Sequence, residues 1–295
     1  MRKHPVILGI TLLVFVGILL GVFKYGVEFI FGGERSFNLN GKIGIVQIEG
    51  IISDSDEVVK QLQDFADNQG IRAVVLRINS PGGGVAPSQE IYQAVLALRK
   101  KKKVVVSMGS VAASGGYLVA AAADRILANP GTLTGSISAV IHYANVEELM
   151  KKIGVSSYVV KSGKFKDIGS PTRKMTEEEK ALVQGIVDDI YDQFVEVIAA
   201  NRKIPLQNII KLADGRVFSG RQAKELGLVD GLGGLQDAVN LAASLAGLEG
   251  KPDVVHGVDT KRGVFDYLSG SMTAHLIDAV SGKQAVSTGA FYLLQ

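Results

Sequence analysis

Cysteine is absent from the 295-residue sequence, so disulfides, thiolate catalysis and cysteine-ligated zinc are excluded. Charge of one sign is not in marked excess either. Lys and Arg number 32 against 29 Asp and Glu, a formal net charge of +3 spread along the chain and not gathered into a basic stripe. Nothing in that distribution supports nucleic-acid binding. Histidine is scarce: His4 precedes the first apolar run, His142 falls in an expected strand, and His256 and His275 lie in a poorly periodic C-terminal region. A histidine-based triad is therefore weakly supported. No internal repeat is present. Glycine, in contrast, is abundant, with 35 residues against a usual share of roughly 7%, many in short runs where backbone can approach a ligand closely.

Residues 5–23 form an uncharged, almost wholly apolar run. As a helix this run rises about 28 Å, close to the roughly 30 Å hydrocarbon core of a bilayer. Arg2 and Lys3 precede it, while Lys24, Glu28, Glu34 and Arg35 after it largely cancel. The positive-inside bias then keeps residues 1–4 cytoplasmic and puts the rest of the chain outside. The alternative is a cleaved signal peptide, but the run is longer than a usual apolar signal segment and no A-x-A site follows it. The sequence thus predicts a single-pass anchor in the cytoplasmic membrane at 5–23, a juxtamembrane linker at 24–40, a folded domain at 41–250 and a C-terminal extension at 251–295.

Within the domain, apolar β-rich runs alternate with helical periodicity. Strands are expected at 43–48, 73–78 and 104–108, and helices after Ser53-Asp54-Ser55-Asp56, which offers capping side chains, over 88–101 and over 114–123. Such alternation implies parallel βαβ units with strands buried on both faces. Shorter strands are expected at 126–127, 137–143 and 157–160. Thr176 and Glu179 form a capping-box pattern before a long helix, whose stripe of Leu182, Val183, Ile186, Val187, Ile190, Phe194, Val197 and Ile198 is expected to face the core.

Glycine-rich junctions follow the expected strands, where open α/β sheets place their ligand crevices. In Asn79-Ser80-Pro81-Gly82-Gly83-Gly84, read as a turn, outward N–H groups suit a developing oxyanion; a plain tight turn is the alternative. In Gly109-Ser110-Val111-Ala112-Ala113-Ser114-Gly115-Gly116-Tyr117, Ser114 sits where a strand meets a helix, as in a nucleophile elbow, although Ala112 breaks the G-x-S-x-G form. The Gly115 N–H joins Gly83 as a candidate oxyanion donor. An ordinary capping serine is the alternative reading. Without a suitable histidine the base falls to a lysine, which must be neutral to act. Its ordinary pKa near 10.4 has to drop by roughly three units, about 4 kcal/mol, which requires burial. Lys161, Lys164 and Lys166 are the candidates, and periodicity does not choose among them. Asp167 is expected to turn towards Arg173, because a carboxylate beside the base would hold it protonated.

Five segments taken in order, 79–84, 113–117, 134–138 (Thr-Gly-Ser-Ile-Ser), 161–171 and 213–223, resemble the short bacterial form of the signal peptide peptidase A family. The resemblance covers about residues 40–250. It implies a Clp protease/crotonase-like α/β fold, a βαβ spiral, and matches the family's serine to Ser114, its lysine to Lys166 and a lysine-orienting residue to Ser136. It further implies remnant signal peptides as substrates, no metal or organic cofactor, and a homo-oligomeric ring in which Lys166 of one subunit serves Ser114 of the next. Two other functions stay open on sequence: a crotonase-like acyl-thioester enzyme, whose enolate a Gly-Gly turn would also suit, and a catalytically silent membrane scaffold.

Overall fold

The computed structural model describes residues 41–257 and, as backbone, 291–293. The expected anchor at 5–23, the linker at 24–40 and most of the C-terminal extension lie outside the described residues. Among the described residues, no helix is long and apolar enough to cross a membrane.

Strand β1 (Lys42–Glu49) runs through α1 (Asp56–Asp67) to β2 (Ile71–Ser80). The short β3 (Gly82–Gly84) and α2 (Val85–Arg99) lead to β4 (Lys103–Ala113), α3 (Gly115–Ala121), β5 (Arg125–Ala128) and β6 (Leu133–Gly135). Next come α4 (Glu147–Lys152), α5 (Glu177–Arg202), α6 (Leu206–Ile210), β7 (Val217–Ser219), α7 (Gly220–Glu225), β8 (Gly231–Leu232), α8 (Leu235–Leu245) and β9 (Asp253–His256). The main sheet has the order β7-β6-β4-β2-β1-β9, with β5 and β8 branching from β4. All its pairs are parallel except β6 with β7. The alternating strands and helices expected from the sequence thus form a mixed α/β fold on a mostly parallel sheet.

Strand periodicity divides the core between two faces. Ile43, Ile45, Ala73, Val75 and Val105 pack under α8 with Ala238, Val239, Ala242 and Ala243. Val46, Ile48, Val74, Leu76, Ile78, Val104, Val106 and Met108 face the other way, towards Leu62, Ile91, Val95, Leu118, Phe194 and Ile198 of α1, α2, α3 and α5. Burial on both faces explains why these strands read as continuous apolar runs.

Several local expectations are corrected. Gly82–Gly84 is a strand, not a turn: it pairs antiparallel with Phe291–Leu293, and Ile52 also bridges it through Ile52 N–H to Gly82 O (2.9 Å) and Gly84 N–H to Ile52 O (2.8 Å). Ser55 stands before α1 without capping it; its hydroxyl donates to Glu90 instead. Residues 137–143 do not form the expected strand, since Gly135 (φ 83°) and Ser136 (φ 50°) turn the chain out of the sheet. Residues 157–160 are not a strand either: Val160 is fully exposed and no strand pairs with the segment among the described residues. In α5 the capping box of Thr176 and Glu179 is present as expected. Its apolar stripe meets the core only at the C-terminal end, where Phe194, Val195 and Ile198 are buried. At 26 residues, about 39 Å, the helix overshoots the sheet, leaving Leu182 46% and Ile186 54% exposed.

Candidate active site

Strand β4 is long enough to have two partners on one side. Its middle pairs with β5 at Val105–Ser107 and its end with β6 at Val111–Ala113. Between them the register against β2 slips: Ile78 faces Met108, yet Ser80 faces Ala112. The surplus backbone is held by Asn79, whose Oδ1 accepts from the N–H of Ser110 (3.1 Å) and of Val111 (3.3 Å). A Cβ on Gly109 would lie 2.9 Å from that oxygen, so glycine is required there. This bulge directs the last residues of β4 towards Ser114. The sequence signal for it was Asn79 within its glycine-rich motif, but not its role.

Ser114 joins β4 to α3 with φ 54° and ψ −120°, a region costly for a residue bearing a Cβ. Its N–H is fixed on Gly135 O (2.8 Å) and its carbonyl accepts the Leu118 N–H (2.9 Å). The side chain makes no capping bond, so the alternative of an ordinary N-cap does not hold. Ser114 is wholly buried, and its hydroxyl finds no hydrogen-bond partner among the described residues. A strained, buried and unsatisfied hydroxyl is an arrangement that folding alone disfavours.

Ser136 comes beside Ser114 through strand register. Ala113 and Gly135 are partners, so each serine is the next residue on adjoining parallel strands. Ser136 is buried, with its N–H on Arg216 O (2.8 Å). Gly83 lies in β3 and Gly115 opens α3. These segments adjoin, with Cα atoms within 8 Å, and a Cβ on Gly116 would sit 3.0 Å from Ser80 O at the end of β2. Four of the five expected site residues, Ser114, Ser136, Gly83 and Gly115, therefore gather at the carboxyl ends of β2, β4 and β6.

The lysines do not join them within one chain. Lys166 is exposed in a loop of successive turns, and no lysine hydrogen-bonds Ser114 Oγ. Lys161 binds Asp167, and Lys164 binds Glu178. The burial expected of a base lysine is absent for all three in the isolated chain. Asp167 does turn to Arg173, as expected: Arg173 Nε donates to Oδ2 (2.8 Å) and Nη2 to Oδ1 (2.9 Å). Those hydrogen bonds from Arg173, then Lys161, hold the Asp167 carboxyl well below the usual range. His142 is exposed and His256 lies on β9, at the far edge of the sheet from β6. Among the described residues no group of three or more His, Asp or Glu side chains is arranged to hold a metal ion.

Two further features flank Ser114. Backbone strand β10 (Phe291–Leu293) pairs antiparallel with β3, setting Phe291 opposite Gly84, Tyr292 opposite Gly83 and Leu293 opposite Gly82. It also comes within 8 Å of α3, Cα to Cα. Beyond Ser136, a groove lined by Ser138, Val140, Ile141, Val183, Val187 and Tyr191 runs along α5.

Comparison with known proteins fits this geometry. Residues 97–249, more than half of the chain, match peptidase family S49, and residues 35–134 match the Clp protease family. A protein of Synechocystis sp., provisionally named a protease, is 44% identical over 216 residues, covering 72% of this chain and 77% of its own length. One from Enterococcus faecium, provisionally named signal peptide peptidase SppA, is 36% identical over 68% of this chain and 62% of its own. "Protease 4" of Salmonella typhi is 36% identical over 81% of this chain but only 41% of its own length. With a strained serine at the end of a parallel sheet, this chain belongs to peptidase family S49 and is a serine-type peptidase.

Proposed function

We propose that the chain is a membrane-anchored endopeptidase that hydrolyses apolar peptides, remnant signal peptides foremost, through a Ser114–Lys166 dyad. One observation carries the reading: the unsatisfied Ser114 hydroxyl lies beside a glycine strand on which an extended segment is already paired antiparallel. A peptide substrate takes the place of that segment, bound through its backbone and presenting a carbonyl to Ser114. Neutral Lys166 accepts the Ser114 proton as Oγ attacks and returns it to the leaving amine. The lysine then activates the water that releases the acyl group. The N–H groups of Gly83 and Gly115 receive the oxyanion, and the Ser136 hydroxyl orients the lysine.

Lys166 comes from a neighbouring subunit. The exposed lysine loop, the partnerless Ser114 hydroxyl and the uncovered Leu182 and Ile186 on α5 support a head-to-tail ring, in which each interface completes one site and buries the lysine. Residues 5–23 hold this ring to the outer face of the cytoplasmic membrane. An acyl-thioester enzyme is not favoured by any feature of the site.

The test is co-expression. Ser114→Ala and Lys166→Ala chains are each inactive alone, while mixed assemblies regain peptidase activity and fluorophosphonate labelling of the intact Ser114. Mixed assemblies that form on pull-down but stay inactive refute the shared dyad. Full activity in Lys166→Ala refutes the lysine assignment.

A further inference from the structure

The lysine loop is held by few backbone contacts. Lys166 N–H donates to Gly163 O (3.1 Å), Ile168 N–H to Phe165 O (3.1 Å) and Ser170 N–H to Asp167 O (3.0 Å), all local turns. Lys164 Nζ reaches Glu178 on α5 from an exposed side chain, and the half-buried ties to the rest of the chain begin one residue after the lysine. Arg173 grips the Asp167 carboxylate through two nitrogens and also donates from Nη2 to Asp167 O (3.3 Å). The same guanidinium forks onto Glu179, Nη1 to Oε2 (2.8 Å) and Nη2 to Oε1 (2.5 Å). Glu179 is itself buried and immobilised: its Oε2 accepts the Thr176 N–H (2.9 Å), and its own N–H donates to Thr176 Oγ1 (3.2 Å). A continuous chain of bonds thus runs from the start of α5, a helix rooted in the core by Phe194 and Ile198, to the residue beside Lys166.

The charges in this cluster balance. Arg173 and Lys161 supply two positive charges against Asp167 and Glu179. Other charged groups around the loop are Lys164, paired with Glu178, Glu177, paired with Lys180, Glu147, paired with Lys151, and Lys174, whose carbonyl accepts from Arg173 Nη1 (3.1 Å) and whose N–H donates to Glu147. Removing the Arg173 guanidinium alone would leave Asp167 as an incompletely neutralised carboxylate next in sequence to the lysine.

We propose that Arg173 is a positioning residue for Lys166, tying the lysine loop to Glu179 at the head of α5 and cancelling the Asp167 charge that would otherwise keep the lysine protonated. The inference rests on Lys166 being the general base. Two separable roles follow, one geometric and one electrostatic. Arginine is required for the geometric role, since only its planar fork reaches two carboxylates at once, whereas the electrostatic role needs only a cation at that position.

The test measures kcat and kcat/KM against pH for the full-length protein on an apolar fluorogenic peptide. Arg173→Gln is expected to lower kcat by about tenfold to a hundredfold, since displacement by about an ångström costs that much, with KM within threefold. It also moves the activity rise upward by about half a pH unit or more, because an opposite charge nearby favours the ammonium. Adding Asp167→Asn returns the midpoint but not kcat. Arg173→Lys keeps the midpoint and loses kcat, and serves also if the Gln variant does not fold. A fall in kcat with an unmoved midpoint in Arg173→Gln overturns the inference, as do wild-type values. If Lys166→Ala is dead while Arg173→Gln matches wild type, only the Arg173 role fails. If Lys166→Ala stays active, the base assignment itself fails and takes the inference with it.

Discussion

Gly83→Ala isolates what the glycine strand contributes. The Gly83 φ is not in the left-handed region, so alanine meets no backbone penalty there, and the conflict is purely steric. A Cβ built at this position lies 2.2 Å from Ile52 O, 2.6 Å from Ile52 N and 2.7 Å from Ile52 C. All three are backbone atoms, and none can swing aside as a side-chain tip would. Ordinary contact begins near 3.4 Å, so β3 must retreat by roughly 1.2 Å. That movement breaks the two bonds between Ile52 and β3, at about 1 kcal/mol each, for a loss near 2 kcal/mol of stability. It also displaces a proposed oxyanion donor. Loss of one such donor costs about a hundredfold to a thousandfold in kcat, so a fall of that order is expected. The assay pairs kcat on an apolar peptide with the rate of fluorophosphonate labelling at Ser114, and urea unfolding gives the stability change. Gly185→Ala in α5, where nothing lies within 4 Å of the added carbon, is the control and should stabilise by about 1 kcal/mol through helix propensity. A Gly83→Ala protein within threefold of wild-type activity would refute both the steric reasoning and the donor role.

Ser114→Ala should abolish labelling yet raise stability by about 1 kcal/mol, because it removes a buried hydroxyl that has no partner; urea unfolding that shows a loss would contradict the unsatisfied site. Arg173 holds Glu179 at about 2, against an ordinary 4.5, and Asp167 is lowered by the same guanidinium. Both carboxyls are depressed in the folded state, so their stabilisation is present above about pH 4.5 and is lost as pH falls towards 2. Arg173→Gln should lack most of that acid dependence, and superimposable acid-unfolding curves would refute the coupling. Deleting residues 286–295 uncovers β3 and should raise kcat/KM on short peptides by threefold or more; unchanged kinetics would show that β10 does not compete with substrate.

The sequence by itself determined the parallel α/β organisation, because strands buried on both faces must be apolar throughout and helices must show a 3.6-residue stripe. It also singled out Ser114 as the candidate nucleophile. Ser114 between small residues, with glycines after it, leaves few other uses for so permissive a strand-to-helix junction. The capping box of α5 was equally legible, since Thr176 and Glu179 lie three residues apart and interact locally. What depended on distant partners was not legible. Gly82–Gly84 becomes a strand because residues 291–293 pair with it and Ile52 bridges it, and 157–160 has no strand partner among the described residues. The Asn79 bulge needs Ser110 and Val111, 31 and 32 positions away, brought into register. Whether Leu182 and Ile186 meet the core depends on where the sheet ends, which helical periodicity does not encode. The proposed base illustrates the limit most clearly: a neutral lysine would demand burial, yet one folded chain leaves Lys166 exposed, because a loop's environment is set by the surfaces that come against it.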